Sequence, residues 1–211
     1  MKDIKDIFES ARDQIDSLTK IVLTKNESRK VLRRYGAAIH PNFIVWMELT
    51  SLSGLRHPDA QYTVGRNLYD KLRVGMSQKN AHPVMLWNFL NQVNCLSNGP
   101  TSKYVQPEVA VLYETMGRLS PIQNLAIMAA FEYCSIVFIP YLAKMTVVLG
   151  GTDFEYTNSH NKVSLKNAEA FIDALIAEFK LQYPQTAPMH IHDVQRSVDI
   201  ALELMKKILT L

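Results

Sequence analysis

The sequence predicts an all-α protein, a single bundle of about seven or eight helices over residues 1–211. Apolar residues recur at helical spacing along almost the whole chain. No run of alternating apolar and polar residues bounded by hairpin turns is present, and no repeat or low-complexity linker marks a second domain. A length of 211 residues with 47% hydrophobic content is sufficient for one substantial core.

The first four predicted helices are separated by proline and glycine signals. They cover residues 4–23, 28–54, 59–75 and 81–96. Pro41 interrupts the second as a kink or a break, and Gly54 ends it. Gly75 ends the third, and the fourth has Pro83 in its first turn.

The last four predicted helices are separated by capping and stop signals. They cover residues 107–119, 120–151, 154–182 and 189–210. Ser120 and Pro121 are typical of an N-cap followed by the first helical residue. The pair Gly150 and Gly151 is a stop signal, and the loop YPQTAP (183–188) separates the last two helices.

The segment 125–150 is long and apolar enough to require a membrane interpretation. Glu132 lies near its middle, and an ionised glutamate at bilayer depth costs several kcal/mol. Pro140 and Lys144 also interrupt the segment. We therefore expect a buried core helix and no membrane span.

Charge and cysteine usage indicate the compartment and exclude some partners. The net charge of +3, from 23 basic and 20 acidic residues, gives no case for nucleic acid. Cys95 and Cys134 lie in apolar surroundings without a CxxC spacing, which predicts buried free thiols in a reducing compartment. The charged N-terminus lacks an apolar signal segment, so we expect a cytoplasmic protein.

Four common catalytic and nucleotide-binding motifs are absent from the sequence. The sequence has no GxGxxG, P-loop, GxSxG or HExxH pattern, so no nucleotide cofactor is expected. Glu132 is the most informative single residue, because buried carboxylates are rare unless they are paired, hydrogen-bonded or metal-bound. It is expected to lie on a solvated helix face, to pair with a basic residue of a neighbouring helix, or to belong to a polar site inside the bundle. His82 and His160 each open a predicted helix, as capping or core residues or as ligands.

Three stretches together resemble the haem-oxygenase-like diiron oxidases, a family that shares its fold with thiaminase-type proteins, pyrroloquinoline-quinone-synthesis proteins and the chlamydial death-domain-associated protein. They are GRNLYDKLRVGMSQKNAHPVMLWNFL (65–90), AAFEY (129–133) and SHNKVSLKN (159–167). The resemblance covers roughly residues 60 to 180. It implies a haem-oxygenase-like bundle, and relatives commonly pair into homodimers. In the family, carboxylates and imidazoles hold two irons and leave open positions for dioxygen.

The resemblance carries over to the metal site only in part. His82, Glu132 and His160 fall at ligand positions and keep suitable side chains. Lys71, Ser164 and Asn167 stand where the family has a glutamate, an aspartate and a second histidine.

The lysine is the most adverse of these changes, because an ammonium is repelled by metal cations unless it is deprotonated. Lys71 is expected either to disrupt the site or to take a metal's place beside Glu132. Glu48, on the preceding helix, is a further carboxylate that some branches of the family use. Otherwise it is expected to be partly exposed or to pair with Arg56.

Three functions stay open at this stage. In the first, the two-iron site is incomplete and the old cavity binds a small apolar or amphipathic molecule. In the second, His82, Glu132 and His160 hold one iron and oxidise a small organic substrate with oxygen. In the third, the chain is a helical interaction protein without a site. One iron or none is expected rather than two, and no haem, because nothing around His40 indicates an axial ligand.

Overall fold

The chain forms an all-α bundle, as the sequence predicts. The computed structural model describes residues 2–39, 41–72, 81–96 and 102–210, and these residues contain nine helices and no strand. The helices are α1 (Lys2–Thr19), α2 (Lys25–Ala38), α3 (Pro41–Leu52), α4 (Pro58–Leu72), α5 (His82–Asn91), α6 (Ser102–Met116), α7 (Pro121–Val148), α8 (Glu155–Gln182) and α9 (Ala187–Leu209).

The count of nine exceeds the expected seven or eight because Pro41 breaks the segment 28–54 into α2 and α3. Proline has no N–H to donate and its ring clashes with the preceding turn, so it begins α3 instead of lying inside one helix. The expected roles of His40 and Gly75 fall outside the described residues.

Helix α7 is the centre of the bundle. It packs mainly against α8, α9, α1 and α3, and its buried residues lie on all faces of the helix. It is the one helix of the described ranges that is long and apolar enough to cross a membrane, and 72% of its most apolar window is buried inside the bundle. The expected core helix is therefore present, and most of its apolar surface is covered by protein.

The predicted ends of α7 are confirmed in detail. The Ser120 hydroxyl accepts the backbone N–H of Gln123, and the Gln123 side chain accepts the N–H of Ser120. This reciprocal arrangement satisfies two donors that a helix start leaves free. After the last turn, Gly150 adopts a φ of 86°, a left-handed conformation that glycine tolerates best.

Two other boundaries differ from expectation. Helix α6 begins at Ser102 instead of residue 107, so Pro107 lies inside it; its missing hydrogen bond falls near the N-terminal end of the helix, where the loss disturbs few turns. Helix α8 begins at Glu155, one residue from the expected start at 154, and His160 lies in its second turn instead of opening the helix.

Candidate functional site

A buried cluster of charged side chains joins α3, α4 and α7. The Lys71 Nζ lies 2.6 Å from the Glu132 Oε1 and 3.0 Å from the Glu48 Oε1. The Glu48 side chain is 0% exposed, and the Lys71 and Glu132 side chains are 12% and 11% exposed. From the sequence, Lys71 is expected either to disrupt the site or to pair with Glu132. The structure shows the pairing with Glu132.

The environment of Glu48 corrects the sequence expectation. Glu48 is neither partly exposed nor paired with Arg56, because α3 turns this residue toward α4 and α7. The Arg56 backbone N–H instead donates to Glu178 on α8.

Asn67 completes the cluster from α4. Its Nδ2 donates to the Glu48 Oε1 at 2.5 Å and lies 3.4 Å from the Glu132 Oε1. Residues 67 and 71 are four apart and therefore lie on the same face of the helix. One turn of α4 thus supplies both the amide and the ammonium that face the two carboxylates.

The charges of the cluster follow from this geometry. Burial alone would lower the pKa of Lys71, but the carboxylates of Glu132 and Glu48 outweigh it and raise that pKa. Burial alone would raise the pKa of Glu132, but Lys71 holds it below its usual range. Burial raises the pKa of Glu48, which Lys71 offsets only in part. An ionised Lys71–Glu132 pair therefore stands beside a carboxyl that resists ionisation.

The two candidate histidines meet beside this cluster. The rings of His82 on α5 and His160 on α8 are stacked, with centroids 4.7 Å apart and an interplanar angle of 26°. The His82 Nε2 lies 3.3 Å from the Ser159 hydroxyl. Burial lowers the pKa of His160 to about 4, so its imidazole is neutral near pH 7.

A pair of tyrosine hydroxyls lies next to His160. The Tyr35 and Tyr156 hydroxyls are 2.5 Å apart, and the Tyr156 ring packs edge-on against His160, with centroids 4.8 Å apart. Burial raises the pKa of both phenols. Both are therefore neutral groups that can donate a proton in a hydrogen bond.

A cavity of about 70 Å³ adjoins these polar groups. Its polar side is formed by Lys71, Glu132, His160 and the two tyrosines. The rest of the lining is mainly apolar and includes Ile39, Met47, Phe138, Ile139, Met205 and Ile208. A smaller cavity of about 20 Å³ lies on the other side of Lys71, His160 and Tyr156, next to His82.

The residues present do not fit a two-iron centre. The Lys71 ammonium lies between the two carboxylates, where a cation bridging them would lie. The rings of His82 and His160 are stacked face to face at an interplanar angle of 26°, whereas a metal ion binds in the plane of an imidazole ring. Within the described ranges, no group of three or more histidine, cysteine, aspartate or glutamate side chains could hold a metal ion.

Asn167 and Ser164 are the other two positions at which the sequence predicts an altered ligand. Asn167 is half-buried and lines a third cavity of about 100 Å³ between α4 and α8, together with Asn67. The backbone of Ser164 belongs to α8, and its side chain lies outside the described part of the chain. The expected metal set of His82, Glu132 and His160 remains a prediction.

Three residues of the site were not among the sequence candidates. Asn67 could have been found, because it lies one helical turn before Lys71 in the same motif. Tyr156 is likewise one turn before His160. Tyr35 lies on α2, and no spacing in the sequence relates it to the other residues, because only the packing of α2 against α7 brings it there.

The fold and site define an all-α bundle with a buried lysine–carboxylate cluster beside an apolar cavity. No protein-family model matches the chain, and no curated protein matches it significantly.

Proposed function

We propose that this chain is a divergent haem-oxygenase-like protein that binds a small amphipathic molecule in its core without a two-iron centre. The position of the Lys71 ammonium between Glu132 and Glu48 is the observation that carries this proposal. A positive charge is already present in the chain itself, so the carboxylates do not need a metal ion to balance them.

The lining of the core cavity supports an amphipathic ligand. The lining includes apolar side chains from α3, α7 and α9 on the one hand, and Tyr35, Tyr156 and His160 on the other. Sites for small molecules commonly combine an apolar lining with a few placed polar groups. An apolar body with one polar head would satisfy both sides.

The charge balance favours an uncharged head group. Lys71 and Glu132 neutralise each other, burial raises the pKa of Glu48, and His160 and the tyrosines are neutral. A charged head would lose its hydration without gaining an unpaired partner of opposite sign. We therefore infer that the ligand carries a hydroxyl or a carbonyl group.

Metal analysis tests the first part of the proposal. The protein is purified aerobically from cells supplied with iron, and bound metals are quantified by inductively coupled plasma mass spectrometry. The expected result is well below one iron per chain. About two irons per chain would overturn the proposal, and about one would favour an iron oxidoreductase that uses His82, Glu132 and His160.

Ligand titration tests the second part. Phenol offers a neutral hydroxyl on an apolar ring, toluene lacks the hydroxyl, and benzoate replaces it with a charge. Calorimetry is expected to show saturable binding of phenol that is tighter than that of either analogue.

A pair of matched variants locates the binding. Ser135→Leu places a larger side chain in the cavity and removes only a hydrogen bond within α7, so it should abolish phenol binding. Ser53→Leu makes the same change at an exposed position and should leave binding unchanged. Equal effects of the two variants, or no saturable binding, would contradict the proposed site.

A further inference from the structure

A second concave site lies far along α7 from the charged cluster. It is a groove between the end of α1, the loop that follows α1 and the C-terminal half of α7. Its volume of about 490 Å³ falls in the range of small-molecule sites, about 300–1,000 Å³. We call it the α1–α7 groove.

Exposed aliphatic side chains line the α1–α7 groove. Val22 is 94% exposed, Ile21 is 54% exposed and Val148 is 40% exposed. Single exposed aliphatic residues are ordinary, but several around one concavity mark an interaction site. The groove therefore presents apolar surface that no other described element covers.

The charge of the groove is positive. Lys20 is paired with Asp16 at 2.8 Å, so these two lining residues cancel. Lys144, which is exposed on α7, forms no ion pair with any residue of the described ranges. Lys144 and Val148 are four residues apart and share a helix face, so a cation and an apolar side chain border the groove together.

The groove is held in shape before any ligand binds. The Tyr141 hydroxyl donates to the Ile21 carbonyl at 2.8 Å and ties the loop to α7. The Ser28 hydroxyl, which is buried at the groove, has no hydrogen-bond partner among the residues that the structure describes. Ser28 is 0% exposed, so this hydroxyl belongs to the packed wall of the groove and offers no contact to a molecule within it.

We propose that the α1–α7 groove binds a free medium-chain carboxylate. The carboxylate group pairs with Lys144, and the aliphatic chain lies along Ile21, Val22 and Val148. Charge complementarity selects an anion over a cation, and the apolar lining selects a chain over a small inorganic ion. This site is separate from the core cavity, and the proposal stands whether or not the core binds a ligand.

Calorimetric titration of the full chain tests the groove, with decanoate kept below its micelle-forming concentration. One decanoate is expected to bind per groove, more tightly than decanol, which has the chain without the charge, or acetate, which has the charge without the chain. Lys144→Met should weaken decanoate by about three- to fivefold, as for an exposed ion pair, and leave decanol unchanged. Val22→Ser should weaken both by about five- to tenfold.

Two control variants separate the groove from general surface effects. Lys180→Met and Val111→Ser remove an exposed lysine and an exposed valine elsewhere, and both should bind decanoate like the natural chain. The proposal is overturned if no saturable binding occurs, or if Lys144→Met and Val22→Ser bind as their controls do. It is also overturned if light scattering shows a dimer that Val22→Ser dissociates, because a second copy would then cover the groove.

Discussion

At the scale of single residues, the ammonium of Lys71 decides the character of the core site. It gives two buried carboxylates one shared positive charge within the chain. A buried ion pair adds little net stability over apolar packing, but breaking it leaves an uncompensated buried charge. Lys71 is therefore the residue on which the buried Glu132 depends for a positively charged partner.

Removing the Lys71 charge should destabilise the fold. Lys71→Met leaves Glu132 without its cation, and we expect the free energy of unfolding in urea to fall by about 3–5 kcal/mol. The double variant Lys71→Met/Glu132→Gln should recover part of the loss. Arg118→Met breaks an exposed pair with Glu114 and should cost less than about 1 kcal/mol. A Lys71→Met cost no larger than this control would contradict the burial argument.

His160 should make stability depend on pH. Its folded-state pKa of about 4 lies below the ordinary histidine value of 6.5. Between these values the unfolded chain binds a proton that the folded chain does not, so stability should fall as pH falls from about 6.5 to about 4. The contribution should be about 1–3 kcal/mol.

Urea unfolding across this pH range checks the contribution of His160. His160→Gln should flatten the dependence, whereas His192→Gln, at an exposed position, should preserve it. Parallel profiles for the natural chain and His160→Gln would show that the histidine is not responsible.

At the scale of elements, one carboxylate fixes the turn between α3 and α4. Glu178 on α8 is 0% exposed. It accepts the backbone N–H groups of Arg56 and His57, the latter at 2.6 Å, and also the Gln182 side chain. The turn sets where α4 begins, and α4 carries Lys71. The position of the charged cluster thus depends on a contact outside it.

Neutralising Glu178 should loosen this turn. Glu178→Gln removes the negative charge that strengthens the hydrogen bonds from the Arg56 and His57 backbone N–H groups and from the Gln182 side chain, at a cost of about 1–3 kcal/mol. Amide hydrogen exchange should accelerate at Arg56 and His57. Glu169→Gln is the same change at an exposed position of α8 and should alter neither quantity. Unchanged exchange at both amides in Glu178→Gln would contradict the assigned role.

At the scale of the whole molecule, α7 organises one core. The buried apolar residues of the described ranges form a single cluster, and each of the nine helices contributes to it. Both cysteines are free and buried in this cluster, as their apolar sequence surroundings predict. Burial raises the pKa of Cys134 to about 12 and also raises the pKa of Cys95.

The two thiols should therefore report global unfolding. Neither Cys95 nor Cys134 is expected to react with a disulfide reagent such as Ellman's reagent in the folded protein, because the thiolate is the reactive form. Both should react in urea, with a midpoint that matches the loss of helical circular dichroism. Rapid reaction of either thiol without denaturant would contradict a single closed core.

The sequence by itself determined the helices, because apolar spacing and capping residues act over a few positions. It therefore predicted the all-α class and both ends of α7, and it singled out Glu132 as an unusual carboxylate while leaving its environment open. The boundary at Pro107 was wrong, because α6 begins five residues earlier and continues through this proline despite the hydrogen bond that it lacks. The sequence also identified Lys71 as unusual, because the resemblance implies a carboxylate at that position.

Only the tertiary structure decided what Lys71 contacts. Lys71 and Glu132 are 61 positions apart, and their meeting depends on how α4 and α7 rotate and slide against each other. The same packing turned Glu48 inward, stacked His82 on His160 and brought Tyr35 to Tyr156. These outcomes follow from interactions between distant segments, which local spacing does not encode.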